Sequence, residues 1–386
     1  MRRGLSGIGA AMLALFALAV GNHAAADVAV TDVGTWKAAH RVAQKQKAND
    51  KRVRRSGVSA LGTLRPTGTG DISLVDSSGL EYFINTNITS VTTSSASGAA
   101  SEASFTGPVA ASTMNGGTTT STLNDAFDGY NSLWFSQTLT GPAATGNAAY
   151  VGYNNNGPAS LDAACGGRQV LFPNQTIYGL TVSRKVFVPS NDSFARWQTI
   201  LANPTAAAIT VNVISANNLG SDSNTRIDST ASGDAVVTVA DNWLTSWQNW
   251  TGTTSSDPRL GHVIWGPGAT VTPNAINFVD GDDNPYWSFH VTVPAGATRI
   301  LLHFVTGQPT KVAARAKARE IATSPLGVNE IACMSPVERA QIVNFALTLA
   351  PEAGEPAIPA LGTTGLLALV GAIAAAGLLA HRRLLA

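Results

Sequence analysis

Charged residues and catalytic motifs are what this 386-residue sequence has least of. Only 13% of its residues are charged, and 25 Lys and Arg against 24 Asp and Glu leave a net charge of +1. Nucleic-acid binding requires a basic surface, so this balance excludes nucleic acid as the partner. The sequence also contains no Gly-x-Ser-x-Gly elbow, no His-Glu-x-x-His pair and no Walker-type loop, which excludes the corresponding hydrolase, zinc protease and nucleotide-binding patterns.

Cysteine is scarce as well, with only Cys165 and Cys333. The sequence has no Cys-x-x-Cys pair and no spacing typical of zinc ligands. In an oxidising compartment the two cysteines can form a disulfide that closes a long loop. Two separate buried thiols are the alternative, because a sequence alone does not show whether the residues lie close together.

The first 26 residues have the three parts of a secretory signal peptide. Arg2 and Arg3 precede an apolar stretch at 8–20, and alanines at 24–26 provide a small-residue cleavage site. We therefore expect export and a mature chain that starts at Asp27. An uncleaved N-terminal anchor is the alternative, although the apolar stretch is short for a membrane span.

Residues 358–386 combine a short motif, an apolar run and a basic end. The run at 361–380 contains no ionisable residue, and at about 1.5 Å per residue a helix of this length crosses the roughly 30 Å of bilayer hydrocarbon. Basic residues after the span favour the cytoplasmic side, so we expect the body outside the cytoplasm. The motif and the basic end are formed by Ile358, Pro359, Leu361, Arg382 and Arg383.

This tail resembles the IPTL-type C-terminal sorting signals of Gram-negative bacteria, which are relatives of the PEP-type signals read by exosortase-like membrane proteases. The resemblance implies an exported protein that meets the export machinery, the membrane and a sortase-like membrane protease. The protein is then either anchored in the inner membrane or passed to the outer surface. A plain anchor that is never cut is the alternative.

Two segments connect the ends to the body. Residues 27–66 are basic and poor in large apolar residues, and Lys37, Arg41 and Lys45 recur every four positions. This pattern predicts a tether whose charge either contacts anionic lipid or polysaccharide or is simply a solvated face. Residues 351–357 form a short acidic linker before the sorting motif.

Residues 67–310 have the pattern of an all-β body. Runs of β-branched and aromatic residues alternate with Gly, Pro, Asn and Asp clusters at spacings typical of sandwiches. We expect one large antiparallel β-sandwich, while two smaller sandwiches or a supersandwich-like body stay open. The predicted strands include 178–188, 209–214, 235–239, 290–293 and 299–305.

Residues 311–350 change to helical signals. The alanine-rich stretch 311–321 predicts a helix with three basic residues on one face, which are Lys311, Arg315 and Arg319. A second helix is expected from Ser335, because Pro336 fits its first position and Glu338 completes a capping box. Apolar residues at 342–345 would give this second helix a side that packs on the sandwich.

Tryptophans form the first candidate binding site. Indole faces stack on sugar rings, and indole N–H groups bind sugar hydroxyls. One interpretation of Trp243, Trp247 and Trp250, joined by Trp265 and Trp287, is therefore a platform for surface polysaccharide. The spacing of the first three also fits one face of a helix, so a packed aromatic patch is the alternative.

An acidic stretch forms the second candidate site. Asp280, Asp282 and Asp283 place oxygen ligands close together, as a calcium loop does. Pro285 stands where the EF-hand pattern requires glycine, and no glutamate follows at the needed distance. Ca²⁺ is thus the one cofactor that the sequence suggests, and an acidic turn is the alternative.

Histidines give no catalytic pattern. His290 and His303 lie in apolar strand contexts, which favours packed side chains over ligands, and no triad is predicted. The sequence therefore favours an exported envelope protein with a non-catalytic structural or adhesive β domain. A glycan-binding module or a glycan-active enzyme is the alternative, and such an enzyme would need two carboxylates facing one cleft.

Overall fold

The computed structural model describes residues 71–86, 98–107, 109–114, 117–121, 123, 126–137, 151–153, 159–249 and 257–347. The predicted signal peptide, tether, linker, sorting motif and membrane span lie outside these ranges, and so does Trp250. No helix within the ranges is long and apolar enough to span a bilayer.

Most of the described chain forms antiparallel strands, which confirms the all-β prediction. The strands are β1 (Asp71–Val75), β2 (Leu80–Asn85), β3 (Ala100–Phe105), β4 (Val109–Met114), β5 (Gly117–Ser121), β6 (Gly129–Ser136), β7 (Val151–Gly152), β8 (Ser160–Leu161), β9 (Gln169–Ile177), β10 (Leu180–Phe187), β11 (Ala195–Ala202), β12 (Ile209–Asn218), β13 (Thr225–Thr230), β14 (Trp243–Gln248), β15 (Arg259–Val263), β16 (Ala275–Asn277), β17 (Tyr286–Val293) and β18 (Thr298–Gln308).

Two sheets of eight strands make up the body. The first has the order β1-β2-β3-β6-β12-β17-β16 with β7 beside β6, and the second has the order β13-β14-β15-β18-β11-β10-β9-β8. One hydrophobic cluster contains side chains of both sheets, such as Phe289 on β17 and Trp197 on β11. Each large apolar side chain buried there contributes on the order of 1.5–3 kcal/mol. The sheets thus pack on a shared core, as in a β-sandwich.

The strand expected at 178–188 begins two residues late because its first residues form a hairpin turn. Tyr178 and Gly179 both have positive φ, 49° and 83°, as a type I′ turn requires. Ile177 of β9 and Leu180 of β10 pair directly on either side. The local turn geometry therefore sets the register of this edge of the second sheet.

The strand predicted at 235–239 is wrong, since these residues lie in an irregular connection between β13 and β14. Asp234 Oδ1 accepts a hydrogen bond from the Val236 backbone N at 2.9 Å, and Asp241 Oδ2 accepts one from the Thr238 backbone N at 2.8 Å. The backbone N–H groups here donate to aspartate side chains and not to the carbonyl groups of a neighbouring strand. The side chain of Val236 consequently stays 66% exposed.

Helix α1 (Lys311–Thr323) lies on the outer face of the second sheet, over β14, β15 and β18. Its sheet side is largely alanine, which brings the helix close. Gly261 on β15 allows this approach, because a Cβ there would lie 2.9 Å from both the Ala314 carbonyl oxygen and Ala318 Cβ. A larger residue at 261 would push α1 away from the sheet.

Helix α2 (Pro336–Ala340) is shorter than the sequence suggests. Ser335 caps it and forms the expected capping box with Glu338, each side chain accepting from the other residue's backbone N–H. The apolar residues assigned to this helix follow it instead. Val343 and Phe345 lie in a non-helical segment and are buried.

A disulfide joins Cys165 to Cys333, whose Cα atoms are 5.5 Å apart, so the two are not separate thiols. It ties the segment before β9 to the segment between the two helices. The bridge spans 168 residues of sequence. Closing so long a loop contributes about 5 kcal/mol in the chain-entropy view of disulfides.

Candidate functional site

A cleft open to solvent lies between α1 and the connection from β13 to β14, and we name it the α1 cleft. Its volume of about 520 Å³ is within the range of small-ligand sites. The lining offers one indole, two guanidinium groups, hydroxyls and an amide. It consists of Ser229, Thr230, Ala231, Gly233, Asn242, Trp243, Arg315, Ala316, Arg319 and Thr323.

Carboxylates fix the β13–β14 wall of the cleft. Asp234 Oδ1 accepts from the hydroxyls of Thr230 at 3.0 Å and Ser232 at 3.1 Å, and Asp241 Oδ1 accepts from the Ser232 backbone N at 3.0 Å. Burial alone would raise the pKa of Asp241, but hydrogen bonds from Thr238 and Ser232 lower it. These bonds hold the wall in one conformation before any ligand arrives.

The helical wall is attached to the same connection. The Asn242 side-chain Nδ2 donates to the Ala322 carbonyl oxygen of α1 at 2.8 Å. Both walls therefore have fixed positions, which reduces the entropy lost on binding.

Trp243 and Trp247 lie on strand β14, so their four-residue spacing does not come from a helix. Strand alternation directs both indoles towards α1, while Leu244 points into the core. Trp243 lines the cleft and is 7% exposed. Trp247 instead lies beneath Lys311, whose Nζ is 3.3 Å from the ring centroid.

The other described tryptophans do not join them. Trp287 is 1% exposed and belongs to the core, and Trp265 packs against that core. The proposed five-indole platform is therefore not formed. Of the tryptophans in the described residues, Trp243 alone lines the α1 cleft.

The basic face of α1 borders the cleft. Arg315 makes a two-pronged ion pair with Asp228 of β13, Nε to Oδ2 at 2.6 Å and one terminal guanidinium nitrogen to Oδ1 at 3.0 Å. This bonding raises the pKa of Arg315. Lys311 Nζ also approaches Asp228 Oδ1 at 3.6 Å, although burial lowers the pKa of this lysine. Arg319 lines the cleft and makes no ion pair with a residue that the structure describes.

The carboxylates proposed for calcium act as acceptors in a turn. Asp280 Oδ1 accepts from the Ile227 backbone N at 2.8 Å, Asp282 Oδ1 accepts from the Asn284 backbone N at 3.1 Å, and Asp283 accepts from the Asn284 side chain. Within the described ranges these three carboxylates do not converge within 4.8 Å as a set of ligands. The geometry favours the acidic turn.

A different acidic group does converge, at Asp192, Glu320 and Glu330. Lys317 fills it, with Nζ 2.6 Å from Asp192 Oδ1 and 2.9 Å from Glu320 Oε1. Burial would lower the pKa of Lys317, but the hydrogen bonds to these two carboxylates raise it. The ammonium group therefore already supplies the cation that this cluster needs.

His262 and His303 are buried, and we name them the core histidines. Their side chains have hydroxyl partners, as catalytic histidines often do, but solvent does not reach them. Tyr130 Oη lies 2.9 Å from His262 Nδ1 and Ser246 Oγ lies 2.9 Å from Nε2. Ser215 Oγ is 3.5 Å from His303 Nδ1. Burial lowers the pKa of both histidines to about 3, so both rings are neutral at physiological pH. Both are 0% exposed, which makes them part of the packed core.

The sequence identified the parts of the cleft separately but did not bring them together. The four-residue spacing showed the basic face of α1, and composition singled out Trp243. Neither signal places that face beside β14, since the contact depends on Gly261, far away in sequence. Asp228, which pairs with Arg315, has no local signal at all.

No protein-family model and no curated protein matches the chain. Among solved structures it is similar to a polysaccharide lyase, with a TM-score of 0.36 and 13% identity over 62% of this chain and 34% of the lyase. It is also similar to heparan sulfate lyase HepC from Pedobacter heparinus, with a TM-score of 0.24 and 14% identity over 36% of this chain and 20% of HepC.

A protein from the human microbiome described as a kojibiose phosphorylase gives a TM-score of 0.35 and 12% identity, over 65% of this chain and 33% of that one. The chain thus spans about a third or less of the length of these three proteins. Similarity this low assigns neither fold nor function.

Proposed function

We propose that this chain is an exported envelope protein, held by its C-terminal tail, whose β domain binds a polysaccharide in the α1 cleft without cleaving it. The observation that carries the proposal is Trp243 lining a cleft whose polar groups are hydroxyls, an amide and guanidinium groups. An indole stacks on the apolar face of a sugar ring, and the surrounding groups exchange hydrogen bonds with sugar hydroxyls.

Binding without cleavage is supported by how Asp228, the carboxylate that pairs with α1 beside the cleft, is used. Glycoside hydrolysis employs two carboxyl groups that flank the scissile bond. Asp228, which borders the cleft, is engaged at both oxygens by Arg315 and approached by Lys311. A carboxylate held in this way is not free to exchange a proton with a sugar.

The two ends of the sequence support the location. The signal peptide at 1–26 leads to export, and the span at 361–380 with its basic end retains the protein at the membrane. The sorting motif around Pro359 makes a sortase-like membrane protease the expected partner. In this proposal the adhesive role is attachment to polysaccharide of the cell surface.

The test compares the full chain with its Trp243→Ala variant for retention by a panel of immobilised polysaccharides. We expect the variant to bind the retained polysaccharide at least about tenfold more weakly, because the stacking surface is lost. Trp247→Ala is the matched control, since Trp247 has the same side chain on the same strand face but does not line the cleft.

Circular dichroism should show that both variants are folded. Equal binding by the wild type and Trp243→Ala would exclude the α1 cleft as the site. Release of soluble oligosaccharides by the wild type would show an enzyme and would contradict the non-catalytic part of the proposal.

A further inference from the structure

The cations around the α1 cleft are unequally paired with carboxylates. Lys311, Arg315 and Arg319 follow one another at four-residue intervals along α1, so they lie on one face over about 12 Å of helix. Asp228 is the carboxylate that faces them. The carboxylates of Asp234 and Asp241 lie on the opposite wall, where hydroxyl and backbone N–H groups of the β13–β14 connection hold them. The three cations are therefore balanced in number, but they are not equally paired.

Asp228 pairs with the first two of these cations, Lys311 and Arg315. It binds the Arg315 guanidinium with both oxygens and is 3.6 Å from Lys311 Nζ. The other acidic residue on this part of α1, Glu320, accepts from Lys317 at 2.9 Å on the side of the helix away from the cleft lining. Neither carboxylate therefore neutralises Arg319.

Arg319 is the exposed member of the row. It lines the cleft together with Trp243, and among the described residues it has no acidic partner. A guanidinium group presents two parallel N–H donors that match the two oxygens of a carboxylate or a sulfate group. An indole beside such a cation suits a sugar ring that carries an acidic substituent.

We infer that the α1 cleft selects an acidic polysaccharide, with Arg319 binding the acidic group while the sugar ring stacks on Trp243. This inference rests on the proposed polysaccharide binding and adds the class of ligand. Asp228 acts as an internal competitor, because it occupies the Arg315 donors that a second acidic group would otherwise use. Asp228 therefore limits affinity for acidic ligands.

The experiment uses the full chain and two pairs of polymers that differ only in charge. The first pair is polygalacturonate and its carboxyl-reduced form, and the second is dextran sulfate and dextran. We expect the wild type to bind at least one acidic polymer about tenfold or more tightly than its neutral counterpart, and raising the salt from about 50 mM to about 500 mM to remove most of this preference. The pair that shows the preference identifies carboxylate or sulfate as the recognised group.

Two variants change the charge in opposite directions. Arg319→Gln should weaken binding to the acidic polymer about tenfold, whereas binding to the neutral polymer should fall by about twofold or less, because glutamine still donates a hydrogen bond to a hydroxyl but carries no charge. Asp228→Asn should strengthen binding to the acidic polymer about threefold, because Arg315 is released. Arg299→Gln is the control for loss of one arginine. On the sheet, Trp243 pairs with Val263 and Val263 pairs with Phe304 of β18. Arg299 lies five residues from Phe304 along β18, away from the cleft.

The outcomes separate this inference from the function on which it rests. If no polymer binds, or if Trp243→Ala has no effect, the proposed function fails. If both members of each pair bind equally and Trp243→Ala still weakens them, the cleft binds glycan but the acidic class is wrong. If phosphatidylglycerol vesicles displace the polymer and bind in an Arg319-dependent way, the ligand is an anionic lipid surface and the inference is overturned.

Discussion

The α1 cleft and the core histidines present chemically active side chains in opposite surroundings. The histidines have strongly lowered pKa values and hydroxyl partners at hydrogen-bonding distance, as catalytic groups often do, yet both are 0% exposed. The cleft has ordinary side chains with modest interactions, but its two arginines border open space beside Trp243, which is 7% exposed. A perturbed pKa therefore indicates burial here, whereas access indicates the site.

The two regions also use polar groups for different ends. Around His262 the hydrogen bonds satisfy the buried hydroxyl groups of Tyr130 and Ser246, so they contribute to stability. Around the cleft Arg319 is left without an acidic partner among the described residues, so its value is in binding. Changes in the core should therefore alter stability without altering ligand preference, and changes in the cleft should do the reverse.

The largest effect is expected from His262→Leu. This change leaves the buried hydroxyls of Tyr130 and Ser246 without their partner, at about 1–3 kcal/mol each, so the free energy of unfolding should fall by about 4 kcal/mol. Denaturant unfolding measures the loss. Polysaccharide binding at a temperature where the variant is folded should be unchanged.

The control is the triple variant His262→Leu, Tyr130→Phe and Ser246→Ala. It removes all three polar partners together, so much of the lost stability should return. A folded His262→Leu variant that no longer binds polysaccharide would place the ligand site at the core histidines and end the distinction between the regions.

Acid should destabilise the protein through the same histidines. Their pKa is 6.5 when unfolded and about 3 when folded, so the unfolded state binds more protons between these values. Stability is then fully present above pH 6.5 and is lost as the pH falls towards 3, by about 1.4 kcal/mol per pH unit for each histidine. Asp76 opposes this, because burial raises its pKa from 3.8 to about 6 and the folded state takes up its proton first.

Two histidines against one aspartate leave a net loss of about 3 kcal/mol between about pH 6 and about pH 4. Urea unfolding at several pH values tests this, with the His262→Leu triple variant as the control, since it should lose about half of the histidine contribution. A stability that is flat or rises over this window would mean that the core histidines are not held neutral.

Local sequence signals predicted the body well. Runs of β-branched and aromatic residues located four of the five strands named from the sequence, because such side chains suit buried strands. The four overlap β10, β12, β17 and β18. The capping box at Ser335 was equally local. The failure at 235–239 was also local, because the hydrogen bonds of Asp234 and Asp241 outweigh the β propensity of the valines between them.

The candidate site was not predictable in the same way. The cleft exists because α1 lies on β14 and β15, a contact between segments about 60 residues apart that Gly261 makes possible. Its key ion pair joins residues 87 positions apart, Asp228 and Arg315. The spacing of Trp243 and Trp247 suits a helix or a strand equally, so that pattern could not choose between a packed patch and a binding surface.

The smallest expected effect comes from Lys311→Met, at the border of the cleft. Methionine is unbranched and only one atom shorter than lysine, so it keeps an apolar contact with Trp247. It removes the charge 3.3 Å from the ring centroid and the weak pairing with Asp228 at 3.6 Å. A cation–π contact at a partly exposed site contributes about 0.5–1 kcal/mol, so thermal unfolding should show a small loss of stability.

Binding of acidic polysaccharide should fall by no more than about twofold, because Lys311 does not line the cleft and Asp228 already offsets its charge. Thermal unfolding and polymer binding measured on the same preparation test both statements. A loss of binding greater than about fivefold would show that the ligand extends along α1 as far as Trp247, and the site would then include both ends of the basic row.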